Sequence, residues 1–255
     1  MEFFGSQDLL VMFMPIVVYW VYSGMYELLG SMDKYRLHSR REEETKNLAS
    51  KKEVVKGVLF QQAIQATISF IFLKISGNSN EATTSLDASF MVVARQFFIA
   101  MLVMDTWQYF VHRYMHFNKF LYRKVHSWHH RIVAPYAFAA QYNHPIDGVL
   151  VETLGGAAAF FLSGMSPQTS IFFFSFATIK GIDDHCGLMI PWNPLHILFT
   201  NNAGYHDTHH QLGGAKYNFS QPFFVMWDKI LGSYAPYTIE KRMDGGYEAR
   251  IRKEI

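Results

Sequence analysis

Eight of the twelve histidines in this 255-residue chain fall into three tight groups: His112-Arg-Tyr-Met-His116, His126-Ser-Trp-His129-His130 and His206-Asp-Thr-His209-His210. On a helix, residues three and four apart share a face, so each group aims two or three imidazoles at one point. Imidazole is the commonest metal-binding side chain and suits iron, zinc, copper and nickel. Eight or more imidazoles are too many for one four-coordinate zinc. They suit two metals. Simple packing is a poor account of three such groups, because charged histidines would repel one another and neutral ones would need partners.

Absent motifs narrow the chemistry. No His-Glu-x-x-His occurs, so a metalloprotease would lack its general base, and no Glu-x-x-His supports a carboxylate-bridged di-iron bundle. The one cysteine, Cys186, allows neither an internal disulfide nor a multi-thiolate cluster. An all-nitrogen two-metal site remains, and iron is the redox-active choice that can activate oxygen against an unactivated C–H bond. His185, just after an apolar block, is a further candidate ligand, and His144 before Pro145 is a ligand or a partner to one. Asp105, Asp183, Asp184 and Asp228 are candidate acceptors for the outer ring nitrogens of bound histidines. Asp207 points off the face that carries its neighbouring histidines, and His38 and His196 read as ordinary hydrogen-bonded residues.

The elements that must position these groups are apolar helices. Half of the residues are hydrophobic, concentrated in blocks, with twenty-three phenylalanines and five tryptophans, while the net charge of +2 gives no field for nucleic acid. Spans are expected at about 9–26, 54–76 and 88–111, with a hairpin pair over 148–182 around Ser166-Pro167. Glu2 and Asp8 near the N-terminus argue for a retained first span rather than a cleaved signal. The expected fold is all-α: one polytopic membrane domain over 1–255, with about four transmembrane helices and a helical histidine-rich di-metal cap formed by 112–147 and 183–255. Ser31–Lys52 is rich in lysine and arginine, whereas 77–89 has neither, so the positive-inside rule places every histidine group in the cytosol. Arg252-Lys253-Glu254-Ile255 then fits a dibasic retrieval tail. Because His112 follows its span without a linker, the metals should sit at the membrane boundary, within reach of a lipid rather than a soluble substrate.

The three boxes on a small polytopic frame resemble the fatty acid hydroxylase/sterol desaturase superfamily. The segments Asp105-Thr-Trp-Gln-Tyr-Phe110, Asp183-Asp-His-Cys-Gly-Leu188 and Lys216-Tyr-Asn-Phe-Ser-Gln-Pro-Phe-Phe-Val-Met-Trp-Asp228 are most similar to its plant sphingoid-base C4 hydroxylases. The resemblance implies a non-haem di-iron centre held by the eight box histidines, with His185 in the family's extra-histidine position. It implies O2 as oxidant and electrons from NAD(P)H through cytochrome b5 and its reductase. The substrate would be sphinganine or a dihydroceramide, the product its 4-hydroxy form, the site the endoplasmic-reticulum membrane, and ceramide synthase a further partner. Trp128 departs from the pattern, which favours a polar residue such as glutamine there. Alternatives are another lipid (a sterol methyl group, an acyl chain or a long aldehyde), or a zinc-binding or transport role. Transporters, however, usually hold their ligands near the bilayer midplane.

Overall fold

A computed structural model describes residues 6–75 and 89–252. Most of the 77–89 loop and the last three residues of the basic tail, both used above for topology, lie outside the described residues. Helix α1 (Ser6–Leu29) carries an apolar run that no charge interrupts between Asp8 and Glu27. The connector folds as a short helix α2 (Arg40–Lys46), with Ser39 and Glu42 closing a capping box. Helix α3 (Lys51–Ile75) follows, and α4 (Phe90–Phe117) is the longest element. At 1.5 Å per residue α4 extends about 42 Å, about 12 Å more than the ~30 Å hydrocarbon layer and as long as its last two turns. Those turns carry His112 and His116. The membrane helix itself delivers the first box.

Asn118 caps the short α5 (Lys119–Lys124) by accepting from the amides of Phe120 and Leu121. A 3-10 segment, His126–Arg131, then carries the second box. Helix α6 (Pro145–Asp147) runs through a π-helical stretch, Gly148–Thr153, into α7 (Leu154–Ser163). A Cβ at Gly148 would collide with the amide of buried Gln61, so only glycine lets this stretch approach α3 so closely. Helix α8 (Pro167–Asp184), started by the Ser166 cap, packs along α1 while α7 packs on α4.

Among the described residues four helical stretches have the length and apolarity to cross a membrane: Asp8–Leu29, Lys51–Phe72, Phe90–Phe117 and Pro145–Ser163. They expose Val21, Phe60, Phe90, Phe98 and Phe161, a liability in water and a match for lipid. Helix α8 falls outside this set. Beyond it lie α9 (Pro194–Leu198), α10 (Ala203–His210), which holds the third box, and α11 (Met226–Ile230).

The fold is mostly helical, with one addition to the expected all-α cap. Strands β1 (Tyr237–Lys241) and β2 (Tyr247–Ile251) form an antiparallel hairpin in which Tyr237 faces Ile251. The glycine pair Gly245-Gly246, both at positive φ, makes the turn. The hairpin braces α10: Gln211 donates to the Ala249 carbonyl, and the Tyr237 hydroxyl donates to Asn202, the α10 N-cap.

Candidate dimetal centre

The structure gathers nine imidazoles into two adjoining groups. His112, His116, His126, His130 and His209 form one, and His129, His185, His206 and His210 the other. Within each group one ligand atom per residue lies within 4.8 Å of all the others. The boxes are divided between the groups by a simple rule. Each i, i+4 pair stays together: His112 with His116, His126 with His130, His206 with His210. The i+3 members cross over, His129 joining the second group and His209 the first. His185, the C-cap of α8, completes the second group.

Ring orientation is set from outside. His112 Nδ1 lies 2.8 Å from the Phe219 carbonyl, His209 Nδ1 2.7 Å from that of Tyr217 and His210 Nδ1 2.8 Å from that of Ile132. His185 Nδ1 lies 3.2 Å from the Tyr136 carbonyl and His129 Nδ1 3.4 Å from that of Tyr142. A carbonyl only accepts, so each Nδ1 carries the proton and each Nε2 turns a lone pair inward. His126 does the same against a carboxylate, with Nδ1 2.7 Å from Asp147 Oδ2.

Burial keeps these rings neutral. Desolvation brings His185 to about 4 and His209 to about 3, against an ordinary value of 6.5, with the hydrogen bonds to the Tyr136 and Tyr217 carbonyls offsetting part of the drop. Burial and then neighbouring imidazoles hold His129, His130, His206 and His210 well below that value. Neutral imidazole is the ligating form.

This arrangement fits metal ions and little else. Nε2 of His126, His185 and His209 is buried without any hydrogen-bond partner. Buried polar atoms are rarely left so, and these three carry lone pairs aimed at the centres of the two groups. His116 Nε2 lies 3.2 Å from His112 Nε2 and 3.1 Å from His130 Nε2, and His206 Nε2 lies 3.0 Å from His210 Nε2. Two nitrogens each ~2.05 Å from one ion stand about 2.9 Å apart at a right angle and about 3.4 Å apart at the tetrahedral angle. The observed spacings fall between those limits.

Other expected site residues take different places. His144 is outside both groups: its Nδ1 accepts the Ile146 amide, capping α6, and its ring meets exposed Trp128 edge-on. Asp105 does not reach His112; its oxygens accept from the backbone amides of Phe223 and Phe224, tying that strap to α4. Asp184 pairs with buried Lys180, and Asp183 with Tyr26, Asn193 and His196. Neither is hydrogen-bonded to any of the nine imidazoles of the two groups. Asp228 acts at one remove, accepting from the Phe219 and Ser220 amides and so fixing the carbonyl that orients His112. Asp207 pairs with His38. Asp147 was not foreseen; it sits only three residues after His144, but nothing in the sequence ties it to His126.

Comparison with known proteins agrees with this geometry. Residues 97–233 match the fatty acid hydroxylase family. Sphinganine C4-monooxygenase 2 of Arabidopsis thaliana is 64% identical over 98% of this chain and 96% of its own length. Sphinganine C4-monooxygenase 1 of the same plant is 61% identical over 100% and 98%. A very-long-chain aldehyde decarbonylase of Oryza sativa subsp. japonica is 52% identical over 98% and 97%. No solved structure matches the chain. Both the family match, which spans all three boxes, and the full-length relatives point one way: the chain belongs to the fatty acid hydroxylase family.

Proposed function

We propose that this protein is an O2-dependent sphingolipid C4-monooxygenase that converts sphinganine, or a dihydroceramide, to its 4-hydroxy form. The nine imidazoles gathered in two groups, two of them on a membrane helix, support the chemistry, and the two full-length Arabidopsis relatives support the substrate. In this reading His112, His116, His126, His130 and His209 hold one iron, and His129, His185, His206 and His210 the other. Iron bound there would supply activation of O2, with two electrons from NAD(P)H through cytochrome b5 and its reductase. One oxygen atom enters the C–H bond and the other leaves as water.

The chain's own residues do the rest. Backbone carbonyls and Asp147 hold six of the nine Nδ1 protons outward, on His112, His126, His129, His185, His209 and His210, and so fix those rings. The rings of Phe219 and Tyr122 pack against the first group, Phe219 on His112, His116 and His209 and Tyr122 on His116, His126 and His130, limiting water. The continuity of α4 sets the centre just beyond the hydrocarbon, where a carbon a few bonds from a lipid head group arrives without leaving the bilayer. The cations of Ser31–Lys52 support a cytosolic centre, in keeping with an endoplasmic-reticulum membrane enzyme and with ceramide synthase as a neighbour.

The rice relative motivates a second reading, in which the substrate is a long-chain aldehyde. Expression in cells lacking an endogenous C4 hydroxylase, followed by lipid profiling, separates the two. The expected product is 4-hydroxysphinganine, lost in His129→Ala and His209→Ala proteins that still reach the membrane. Alkane production from aldehydes with no 4-hydroxy base would establish the second reading instead.

A further inference from the structure

Where α8 ends, Asp183, Cys186 and His196 each bring one donor atom within 4.8 Å of the other two. All three side chains are shielded: Asp183 is fully buried, Cys186 is buried, and the His196 side chain is 3% exposed. Asp183 Oδ1 is already engaged by the Tyr26 hydroxyl and the Asn193 amide. Its Oδ2 lies 3.1 Å from His196 Nε2, an ion-pair contact that lacks the alignment of a hydrogen bond. His196 Nδ1 is likewise without a partner. A carboxylate oxygen and an imidazole nitrogen that share a tetrahedral zinc stand ~3.3 Å apart, so the pair has the spacing of co-ligands.

The sulfur side fits as well. The Leu188 amide lies 3.4 Å from Cys186 Sγ and donates to it. Gly187 makes this approach with φ +68, and a Cβ there would collide with the Pro135 carbonyl. The same sulfur lies 3.4 Å from the Leu188 carbonyl, to which the thiol donates, so a metal bound here would displace the thiol proton. Tyr26 and Cys186 also line a polar pocket of ≈ 150 Å³ shared with the ion-paired Arg36, Glu43, Lys51 and Glu27.

We propose that Asp183, Cys186 and His196 form a third metal site, distinct from the imidazole pair, that takes a zinc ion with water as the fourth ligand. Asp183 and Cys186 flank His185, so the ion ties the end of α8 to α9 and anchors the turn that presents His185. Its donor set suits zinc: one sulfur, one nitrogen and one oxygen, with no open redox position.

Zinc-edge X-ray absorption on the detergent-purified full chain tests this directly, because the imidazole groups contain no sulfur. The expected result is one sulfur scatterer at ~2.3 Å and three metal ions per chain. Cys186→Ser should remove the sulfur signal, and His196→Ala should lower the count from three to two. Cobalt substitution gives an independent readout, a thiolate-to-cobalt charge-transfer band present in the wild type and absent in Cys186→Ser. Two ions per chain with an all-nitrogen-and-oxygen shell, and no thiolate band in cobalt-loaded wild type, would overturn the proposal without recourse to any variant.

Discussion

Asp147→Asn should weaken one metal ion and spare the other. Asp147 is buried, with its side chain 3% exposed, and its Oδ2 takes the His126 Nδ1 proton at 2.7 Å. Of the six outward Nδ1 contacts in the centre, five end on backbone carbonyls and this one on a carboxylate. Asparagine keeps the size and one acceptor, so the ring stays in place and only the charge assistance is lost. Charge-assisted hydrogen bonds are about twice as strong as neutral ones, and partners of this kind contribute roughly 10–100-fold to metal affinity. The conservative change belongs at the low end, about tenfold or ~1.4 kcal/mol. Asp147→Ala leaves the Nδ1 proton buried without an acceptor and should approach a hundredfold. Metal content followed through a chelator titration reads the effect as two classes of ion. The class held by His112, His116, His126, His130 and His209 should shift to lower chelator by about tenfold while the other stays put. An unchanged titration, or equal loss of both classes from folded protein, would refute the division of the boxes described above.

Other outcomes follow from the same geometry. A Cβ at Gly214 would collide with the Thr208 carbonyl beside His209, whereas one at Gly213 meets open space. Gly214→Ala should therefore cost about 3 kcal/mol or more and Gly213→Ala under ~0.5 kcal/mol by thermal unfolding in detergent. Lys180→Met strands the Asp184 carboxylate and should cost about 3–5 kcal/mol, while Lys180→Met with Asp184→Leu should recover most of it. Recovery failing in the double variant would mean that shape, not charge, matters there. The metal-stripped protein should lose thermal stability steeply as pH falls from 6.5 toward 4. His185, at about 4, and His209, at about 3, stay neutral in the folded chain after their unfolded counterparts have taken protons. The unfolded state then binds more protons and gains as pH falls. A stability profile unchanged from pH 7 to pH 4 would contradict neutral, buried rings.

Much of the centre was legible because imidazole spacing and membrane hydropathy are local signals. The three boxes, His185 and the run of α4 into its histidines could all be read along the chain. The division of the boxes could not. A shared-face rule treats His126, His129 and His130 alike, but the segment is a 3-10 turn, and His129 faces α8 while its neighbours face α4. Carboxylate partners were the least legible. Asp105 stands two turns before His112 on a similar face, which suggested a partnership, yet unpaired amides at Phe223 and Phe224 claim it. Asp147 meets His126 only because the π-helical stretch and α3 bring α6 over the second box. The β-hairpin falls inside the 183–255 region expected to be part of a helical cap, and its pairing of Tyr237–Lys241 with Tyr247–Ile251 is set by the Gly245-Gly246 turn.

The central claim is that these imidazoles hold two irons that direct O2 at carbon 4 of a sphingoid base. Purified protein with counted iron should be given sphinganine, reductant and heavy-isotope oxygen gas, and the 4-hydroxyl analysed by mass spectrometry. One heavy oxygen atom is expected in the new hydroxyl, with activity rising to its maximum at two irons per chain. Oxygen drawn from water, or full activity from protein that carries zinc alone in the imidazole groups, would contradict it.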